Sequence, residues 1–391
     1  MALIVKKFGG TSLATPSLVM HLAKRVAAEI KNNNKVVVVV SAMGKTTNEL
    51  ISMAKQIISQ PEEREMDMLL TAGERISMSL FSMALNSLNV KAYSFTGSQV
   101  GIITTGEHTN AKILSVKGER LLSALSEGIT PIIAGFQGVS GTKEITTLGR
   151  GGSDTTAVAL AAFLKADLCE IYTDVDGVYT VDPRINSNAR LINEISYEEM
   201  LLMAHSGSKV LHPRSVEIAE RYGIKLAVKP SFNEGDGTMV TNTENIESVN
   251  VRGISTRQNL ALVNLKTPES NIVLLMKKLN AGNLRIELFI TKNADSISVV
   301  VEQDRINDLL SLTEDFCTSV SVSNDIAIVS FIGPGVSTDT EVLNKILSIT
   351  EKYSNDVFGF FTDKLVLSVV TKQPYVEKIS NEAAKAFNLI N

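Results

Sequence analysis

The sequence predicts an α/β protein, an α/β/α sandwich built on a mainly parallel sheet and followed by two small α+β units. Two observations lead to this prediction. Over about the first 230 residues, short β-branched runs alternate with longer segments of helical periodicity, as expected for parallel strands joined by helices. After them, two segments of about 65 residues share one order of strand and helix patterns, which is typical of a small domain present twice.

Six short apolar runs are predicted to form the first sheet. Val36–Val40 and Ile129–Ala134 are apolar on both faces, as expected for strands buried on both sides of a parallel sheet. In sheets of this kind ligands bind beyond the carboxyl ends of the strands, so the residues that follow each run are candidates for a site. The predicted strands are Ala2–Lys6, Val36–Val40, Lys91–Phe95, Pro131–Ala134, Glu170–Thr173 and Lys225–Lys229.

Helix patterns separate these strands. Thr46–Glu49 and Ser196–Glu199 both carry the capping-box signature, in which a hydroxyl residue precedes an acidic residue by three positions. Apolar residues at helical spacing follow each signature. We therefore expect one helix to begin at each of them.

The chain changes character after Phe232, where polar and turn-rich residues predict a linker. The predicted domains are residues 1–240, a linker over 241–256, and two small units over 257–322 and 323–391. Each small unit is predicted to run strand, helix, strand, helix. The predicted elements are Leu260–Leu265, Ile272–Leu279, Ile297–Glu302 and Ile306–Phe316, then Ile326–Ile332, Thr340–Tyr353, Lys364–Thr371 and Val376–Phe387.

Composition narrows the class of protein. The chain has 391 residues, 44% of them hydrophobic, and a net charge of −4, so nothing in it predicts binding to nucleic acid or to an anionic membrane. Cys169 and Cys317 lie far apart, with no second Cys or His at metal-ligand spacing. The first residues lack a signal-peptide pattern, and no apolar stretch is long enough to span a bilayer. These features predict a cytoplasmic protein.

The first glycine-rich segment, Lys7–Ser12, directly follows the first predicted strand. Gly9 and Gly10 let the backbone approach an anion closely, and their N–H groups can line a phosphate-binding concavity. Lys7 adds a positive charge, and Ser12 adds a donor where the next helix begins. The alternative is an ordinary strand-to-helix turn with a surface lysine.

A second glycine-rich segment, Gly149–Thr156, leads into the apolar helix pattern Ala157–Leu164. A helix N-terminus behind three glycines is suited to anions, and Arg150 can bind a carboxylate through two parallel hydrogen bonds. The alternative is that Ser153 and Asp154 only cap the helix. Capping accounts for those two residues but not for Arg150 or the glycines.

Other strand ends offer further candidates. Acidic residues after the strand that ends at Thr173 can bind Mg²⁺ through water or a ribose hydroxyl, although an Asp/Gly-rich loop is more often only a turn. Ser41 follows Val36–Val40 and can donate to a transferred phosphoryl group. The Gly-Lys-Thr sequence that begins at Gly44 resembles the end of a Walker A motif, but Val39 stands where that motif needs glycine.

Two observations concern titratable residues. Glu74 lies in a pattern that predicts the start of a helix, where an acid interacts favourably with the helix dipole. The four histidines all lie outside the glycine-rich segments. A carboxylate acceptor is already anionic at pH 7 and needs cations rather than a general base. The residue set therefore favours phosphorylation of a carboxylate over phosphorylation of a hydroxyl.

Together these segments resemble the aspartate kinases of the amino-acid kinase family. Two of them, Arg64–Ser77 and Gly149–Thr156, distinguish aspartate kinases from relatives that act on glutamate, acetylglutamate or UMP. The matching segments cover most of residues 1–240, and they are Lys7–Ser12, Val36–Leu50, Arg64–Ser77, Ser94–Thr105, Ala134–Val139, Thr147–Leu160, Glu170–Arg184 and Gly207–Ile218.

The resemblance implies an ATP-dependent phosphotransferase with a carboxyl acceptor, converting L-aspartate to 4-phospho-L-aspartate with Mg²⁺, in the pathway to diaminopimelate, lysine, threonine and methionine. It implies that Lys7 neutralises the transferring phosphoryl group and that Asp154 orients Lys7. Arg150 would bind the α-carboxylate of aspartate, and Glu74 its α-amino group. Ser41, Thr47 and Ser153 would add contacts to the substrate. The implied ATP-binding residues are Lys7, Gly9, Gly10, Ser12, Thr173, Asp174, Tyr179, Arg184 and Lys209, with no metal bound by protein ligands alone.

The two small units resemble the ACT domains that bind feedback amino acids in this family. The usual Pro-Gly does not stand directly before the first helix pattern of either unit, where Thr267–Asn271 and Ser337–Thr340 lie instead. Without that glycine a backbone approaches an effector carboxylate less easily. Feedback by lysine, alone or with threonine, is one hypothesis, and a purely dimerising role is the other. The resemblance implies a homodimer or a dimer of dimers.

Two other functions compete with an active aspartate kinase. One is a non-catalytic, amino-acid-sensing paralogue on the same fold, against which the intact Lys7, Arg150 and Asp154 argue. The other is a kinase for a different small acid, such as glutamate or UMP, against which Arg64–Ser77 argues.

Overall fold

The chain forms two compact units in a computed structural model that describes residues 1–242, 251–281, 284, 286–293 and 295–391. The first unit comprises Met1–Tyr179, Leu191–His205 and Lys209–Asn245. The second comprises Thr180–Arg190, Ser206–Ser208 and Ile246–Asn391. Half of the linker predicted over 241–256 lies outside the described residues, and the domain boundaries at 240 and 256 stay predictions.

An eight-stranded sheet forms the centre of the first unit, in the order β10-β12-β11-β9-β1-β2-β6-β3. The six neighbours from β11 to β3 all run parallel, and β12 is antiparallel to β11. A smaller four-stranded sheet has the order β5-β4-β7-β8. The strands are β1 Leu3–Phe8, β2 Lys35–Val40, β3 Ala92–Phe95, β4 Ile102–Thr104, β5 Ile113–Val116, β6 Thr130–Ala134, β7 Gln137–Ser140, β8 Ile145–Thr147, β9 Leu168–Thr173, β10 Glu194–Ser196, β11 Leu226–Pro230 and β12 Thr238–Thr241.

Helices connect these strands and cover the large sheet. One apolar cluster joins α1 and α3 to the central strands, with Phe8 stacked on Phe81 at 5.4 Å and packed against Tyr172 at 4.9 Å between ring centres. This packing holds the carboxyl ends of β1 and β9 side by side. The helices are α1 Pro16–Lys31, α2 Thr46–Ile57, α3 Glu63–Ser87, α4 Gly97–Val100, α5 Glu119–Ser126, α6 Gly152–Leu164, α7 Tyr197–His205 and α8 Pro213–Tyr222.

All six strands predicted for the large sheet are confirmed to within a few residues, including the fully buried Val36–Val40. The four strands of the smaller sheet were not predicted, because runs of three or four residues are too short to show an alternation. The mainly parallel α/β/α arrangement is therefore the one the sequence predicts.

The two capping-box predictions have different outcomes. At Ser196–Glu199 the box is present, since Ser196 N–H donates to Glu199 Oε2 at 3.0 Å and Glu199 N–H donates to Ser196 Oγ at 3.1 Å. At Thr46–Glu49 a helix begins as predicted, but the prediction of a capping box is wrong. The cap position there is Lys45, and the Thr46 hydroxyl donates instead to the Met43 carbonyl at 2.7 Å.

A buried ionic cluster ties the central strands together. Glu170 on β9 contacts the ammonium of Lys6 on β1 and that of Lys229 on β11, the latter at 2.9 Å. Tyr172 donates its hydroxyl to the same carboxylate at 3.1 Å. Burial alone would raise the pKa of Glu170, but Lys6 and Lys229 outweigh it and hold that pKa below its usual value.

The second unit contains a six-stranded antiparallel sheet in the order β14-β15-β13-β16-β18-β17, with four helices. One apolar cluster packs the helices α9 and α10 on β13 and β15. The elements are β13 Gly253–Lys266, α9 Ile272–Ala281, β14 Ile286–Asn293, β15 Ser296–Glu302, α10 Ile306–Thr313, β16 Ser319–Ile332, α11 Thr340–Glu351, β17 Val357–Asp363, β18 Val366–Lys372 and α12 Val376–Ala386.

The two ACT-like halves of this unit share their longest strands. Leu260–Lys266 pairs with β15, whereas Gly253–Arg257 pairs only with the second part of β16, the part that also pairs with β18. The strand that completes the second half therefore precedes the first half in sequence. The predicted boundary between residues 322 and 323 falls inside β16, and β14 and β17, both edge strands, were not predicted.

Among the described residues no helix is both long and apolar enough to cross a membrane.

We expect Glu170→Gln to lower the free energy of unfolding by about 3 kcal/mol at pH 7, because it leaves the buried ammonium of Lys6 and the half-buried one of Lys229 without their shared carboxylate. The folded pKa of Glu170 lies below its unfolded value, so this stabilisation is present above the unfolded pKa and is lost as the pH falls through the folded pKa. Urea unfolding at several pH values measures it. Glu144→Gln, which removes an exposed partner of Arg64, is the control and should change little. Equal losses in the two variants would contradict the prediction.

Candidate active site

The candidate site lies at the carboxyl edge of the large sheet. The segment after β1 contacts the segment after β2, where Gly44 N–H donates to the Gly10 carbonyl at 2.9 Å. The segment after β6 joins them, since Gly135 N–H donates to the Val40 carbonyl at 3.0 Å. Parallel strands place their following loops at one edge, which is why residues far apart in sequence meet here.

Lys7 and Asp154 form the central contact of the site. Lys7, near the end of β1, lies 2.5 Å from Asp154 Oδ1, and the two side chains are only 11% and 12% exposed. Asp154 is in the first turn of α6, where the helix dipole favours a negative charge. The Lys7 ammonium also faces the loop that follows β1, since a Cβ placed on Gly9 would lie 3.6 Å from Lys7 Nζ.

The two glycines after β1 allow close backbone contacts. A Cβ on Gly10 would come within 2.7 Å of the Ala42 carbonyl oxygen, so only glycine fits. Gly9 N–H donates to the Tyr172 carbonyl at 3.3 Å, so here this group pairs with β9 and does not point freely at a ligand. Gly9 therefore does not offer the free N–H group that the predicted phosphate cradle needs, and the cradle itself stays a prediction.

Ser12 is buried rather than open to a ligand. Its hydroxyl lies 2.6 Å from the Ser231 hydroxyl, and Ser12 is 1% exposed. Arg25 on α1 donates to the carbonyls of Pro230 and Ser231, each at 3.2 Å, and its guanidinium lies 5.0 Å from the ring centre of Tyr172. Ser12 thus ties the first glycine-rich segment to the end of β11.

Glu74 is in the middle of α3, which begins at Glu63, so the prediction that it starts a helix is wrong. Glu74 is 3% exposed, and its Oε1 accepts from Ala42 N–H at 3.1 Å. Its Oε2 has no hydrogen-bond partner among the described residues. Burial is the main cause that raises the pKa of Glu74, to about 7. A buried carboxylate oxygen without a partner is suited to a cation brought by a ligand.

The second glycine-rich segment starts α6 without side-chain capping. Gly151, with φ of +68°, is the cap residue, so the alternative that Ser153 and Asp154 only cap the helix is wrong. A Cβ on Gly151 would overlap the His212 ring at 2.2 Å, and one on Gly135 would lie 2.8 Å from Ser153 Oγ. Arg150, which precedes Gly151, is exposed. The segment packs tightly on both sides of an arginine that remains accessible.

Polar groups also follow β9. The Thr173 hydroxyl donates to Asp174 at 3.1 Å, and the Tyr179 hydroxyl donates to Asp176 at 3.0 Å. Asn233 donates to the same Asp176 at 2.7 Å. This loop is an internally bonded turn with an exposed acidic surface.

The remaining predicted residues are not brought into contact with Lys7. Ser41 is half-buried, and its N–H donates to the Phe8 carbonyl at 3.1 Å, while Thr47 is half-buried on α2. Lys209 is exposed in the first unit. Arg184 belongs to the second unit, where it is 79% exposed and lies 2.6 Å from Asp182.

No group of three or more His, Cys, Asp or Glu side chains in the described part of the chain is placed to hold a metal ion. Mg²⁺ commonly binds through one or two carboxylates together with substrate phosphates. Asp154 and Asp174, at the carboxyl edge of the sheet, fit that mode better than an all-protein site.

Comparisons with known proteins identify the family of this chain. The sequence profile of the Amino acid kinase family matches residues 2–230. An aspartokinase from Geobacillus stearothermophilus is 40% identical over 398 residues, which is 100% of this chain and 98% of the relative. The chain therefore belongs to the amino acid kinase family, in its aspartokinase branch.

Solved structures show the same resemblance. Aspartokinase III from E. coli in complex with aspartate and ADP, in its R-state, has a TM-score of 0.85 at 26% identity, covering 98% of this chain and 99% of that one. The E. coli enzyme in complex with lysine and aspartate, in its T-state, has a TM-score of 0.77 at 26% identity and covers the same shares.

We expect Glu74→Gln to change how stability depends on pH. The folded pKa of about 7 exceeds the unfolded value of 4.5, so ionised Glu74 weakens the fold increasingly as the pH rises between these values. The difference in the free energy of unfolding should shift in favour of the variant by about 2–3 kcal/mol from pH 5 to pH 8, since one pKa unit corresponds to about 1.4 kcal/mol. Urea unfolding across this range measures it, with the exposed Glu65→Gln as control. Parallel pH profiles for wild type and Glu74→Gln would contradict the assignment.

Proposed function

We propose that this protein is an aspartate kinase, which transfers the γ-phosphoryl group of Mg-ATP to the side-chain carboxylate of L-aspartate. The products are 4-phospho-L-aspartate and ADP, the first step towards diaminopimelate, lysine, threonine and methionine. The observation that carries the proposal is the buried Lys7–Asp154 pair at the carboxyl edge of the sheet. Its support from relatives is a full-length resemblance to aspartokinases.

The chemistry matches the residues of the site. The aspartate carboxylate attacks the γ-phosphorus, the bond to the bridging oxygen breaks, and ADP carries away the electron pair. The nucleophile needs no general base because it is already ionised at pH 7. Two anions must approach each other, so cationic groups contribute most to the rate. Lys7 supplies such a charge, and Asp154 fixes where its ammonium points.

Recognition of the amino acid is assigned to two residues of opposite charge. Arg150 is exposed between Gly149 and Gly151 and would bind the α-carboxylate with a planar guanidinium. Glu74 would bind the α-amino group through its unpartnered Oε2. An ammonium at that position would favour the ionised carboxylate and lower the pKa of Glu74 from about 7.

Hydroxyl groups complete the acceptor site in this proposal. Ser41 follows β2, Thr47 lies in the first turn of α2, and Ser153 lies in the first turn of α6. Their contribution would be hydrogen bonds that orient the carboxylate and the phosphoryl group rather than added charge.

The nucleotide is assigned to the loops after β1 and β9. Lys7 and Gly10 would face the phosphates. Gly9 and Ser12 would support this loop from within the fold, since the Gly9 N–H already donates to the Tyr172 carbonyl and the Ser12 hydroxyl bonds to Ser231. The remaining assigned residues are Thr173, Asp174, Tyr179, Arg184 and Lys209. The E. coli enzyme in complex with aspartate and ADP supports a nucleotide in a protein of this fold. With the nucleotide bound, Mg²⁺ would supply further positive charge to the phosphates.

Regulation and assembly belong to the same proposal. We assign lysine, alone or with threonine, as an effector of the ACT-like halves, and the E. coli enzyme in complex with lysine and aspartate supports the lysine part of this assignment. We also propose a homodimer or a dimer of dimers, and a cytoplasmic location in keeping with two free cysteines. Lysine that neither inhibits the purified protein nor gives a heat of binding at millimolar concentration would remove the effector from the proposal.

Hydroxylamine trapping tests the activity, because an acyl phosphate reacts with it to give a hydroxamate and releases phosphate, and the hydroxamate forms a coloured complex with Fe³⁺. We expect the purified protein with Mg-ATP to form hydroxamate with aspartate but not with glutamate or without an acceptor. Hydroxamate with glutamate instead would favour a kinase for another acid. No product with any acceptor would favour the non-catalytic, amino-acid-sensing paralogue.

We expect Lys7→Ala to lower kcat by about 10²–10³-fold with a smaller change in KM, because its charge matters most as phosphoryl charge develops. Steady-state kinetics with both substrates measures the effect. Lys35→Ala removes an exposed charge at the opposite end of the neighbouring β2 and should leave kcat unchanged. Wild-type turnover in Lys7→Ala would refute the role of Lys7.

A further inference from the structure

Asp67 is the most buried carboxylate near the candidate site and has no assigned role. It lies on α3 and is 0% exposed. In the described part of the chain its ion-pair partner is His108 and not a lysine or an arginine. Three donors surround it. His108 Nδ1 lies 2.6 Å from Oδ2, Thr109 N–H donates to Oδ1 at 3.0 Å, and the Thr147 hydroxyl donates to Oδ1 at 2.5 Å.

These donors come from two segments, residues 108–111 and 147–149, which contact each other just before Arg150 in the chain. Thr147 ends β8, three residues before Arg150, and Ala111 N–H donates to the Thr147 carbonyl at 2.9 Å. A Cβ on Gly149 would lie 3.0 Å from the Thr109 carbonyl oxygen. The turn that Asp67 holds is therefore in contact with the backbone that leads directly to Arg150.

Arg214 holds the same two segments from another side. On α8, it donates to the Leu148 carbonyl at 2.7 Å and to the Ala111 carbonyl at 2.9 Å. Asp67 and Arg214 thus bind the same pair of segments, one through N–H and hydroxyl donors and the other through carbonyl acceptors. Leu148 is fully buried, so little freedom remains for the residues just before Gly149.

Asp67 and Glu74 share one face of α3. Seven residues separate them, which is nearly two turns and about 10 Å along the axis. A continuous helix connects them from Glu63 to Ser87. The element that carries Glu74 is therefore bonded, through Asp67, to the segment that carries Arg150.

We infer that Asp67 is a positioning residue that sets the placement of Arg150 relative to Glu74 and so determines how tightly the amino-acid acceptor binds. The inference rests on the proposed function, in which these two residues bind the α-carboxylate and the α-amino group. Asp67 touches neither substrate in this scheme. A misplacement of about 1 Å in a binding group is enough to cost large factors in activity.

The test compares two isosteric changes on neighbouring residues. Thr147→Val removes one donor to Asp67. Thr146→Val is the matched control, because Thr146 is equally buried on the same strand but bonds to the Thr104 hydroxyl at 2.6 Å and not to Asp67. Asp67→Asn is the stronger change, since it places an amide donor among groups that are themselves donors.

We expect Thr147→Val to raise KM for aspartate about fivefold and Asp67→Asn by about tenfold or more, with KM for Mg-ATP changed less than about twofold. Thr146→Val should leave both constants near those of wild type. Thermal unfolding of each variant checks folding, and Thr147→Val carries the test if Asp67→Asn fails to fold.

Equal effects of Thr147→Val and Thr146→Val, or parallel rises in both KM values, would overturn the inference, because a purely structural role would not select the acceptor. A wild-type protein without aspartate-dependent hydroxamate formation would instead overturn the proposed function and the inference with it. An active wild type with unchanged constants in Thr147→Val and Asp67→Asn would overturn the inference alone.

Discussion

Two adjacent lysines on one buried strand constrain the whole first unit. Successive residues of β1 point to opposite faces of the sheet, so Lys6 and Lys7 place a positive charge on each face. Both are buried, and a buried charge needs a partner. Glu170 satisfies Lys6 and joins three strands, whereas Asp154 satisfies Lys7 and joins β1 to α6. One pair organises the sheet and the other organises the site.

The site contains one buried group that is unfavourable by itself and two glycines that other residues could not replace. Glu74 is buried with an unpartnered oxygen, and Gly149 and Gly151 both have positive φ. A buried carboxylate oxygen without a partner weakens a fold unless a ligand compensates for it, whereas a positive φ is strained only in residues other than glycine. The two glycines flank the exposed Arg150 and set the backbone conformation on both sides of it. The glycines have a steric reason as well, since the Thr109 carbonyl oxygen and the His212 ring occupy the space that side chains at Gly149 and Gly151 would need.

The sequence was a good guide to strands and to the loops that follow them, because long apolar runs and glycine clusters are strong local signals. It was a poor guide to short strands and to the position of Glu74 in its helix. The helix α3 begins at Glu63, eleven residues before Glu74. The bonds of Asp67 join residues 41 to 80 positions apart, and no local pattern could show them. Among the site residues, the contact between Lys7 and Asp154 follows from topology, while the position of Arg184 in the second unit does not.

The interleaved halves of the second unit limit how this protein can be rearranged. Since Gly253–Arg257 completes the later half, the earlier half is an insertion between two parts of a single sheet. A cut at residue 322 or 323 would divide β16, which pairs with β13 along nearly its whole length. The second unit can therefore be exchanged between related chains in two ways. Either the entire second unit moves together, or the inner half is replaced through both of its junctions, near Asn259 and Asp325, where the backbone has positive φ.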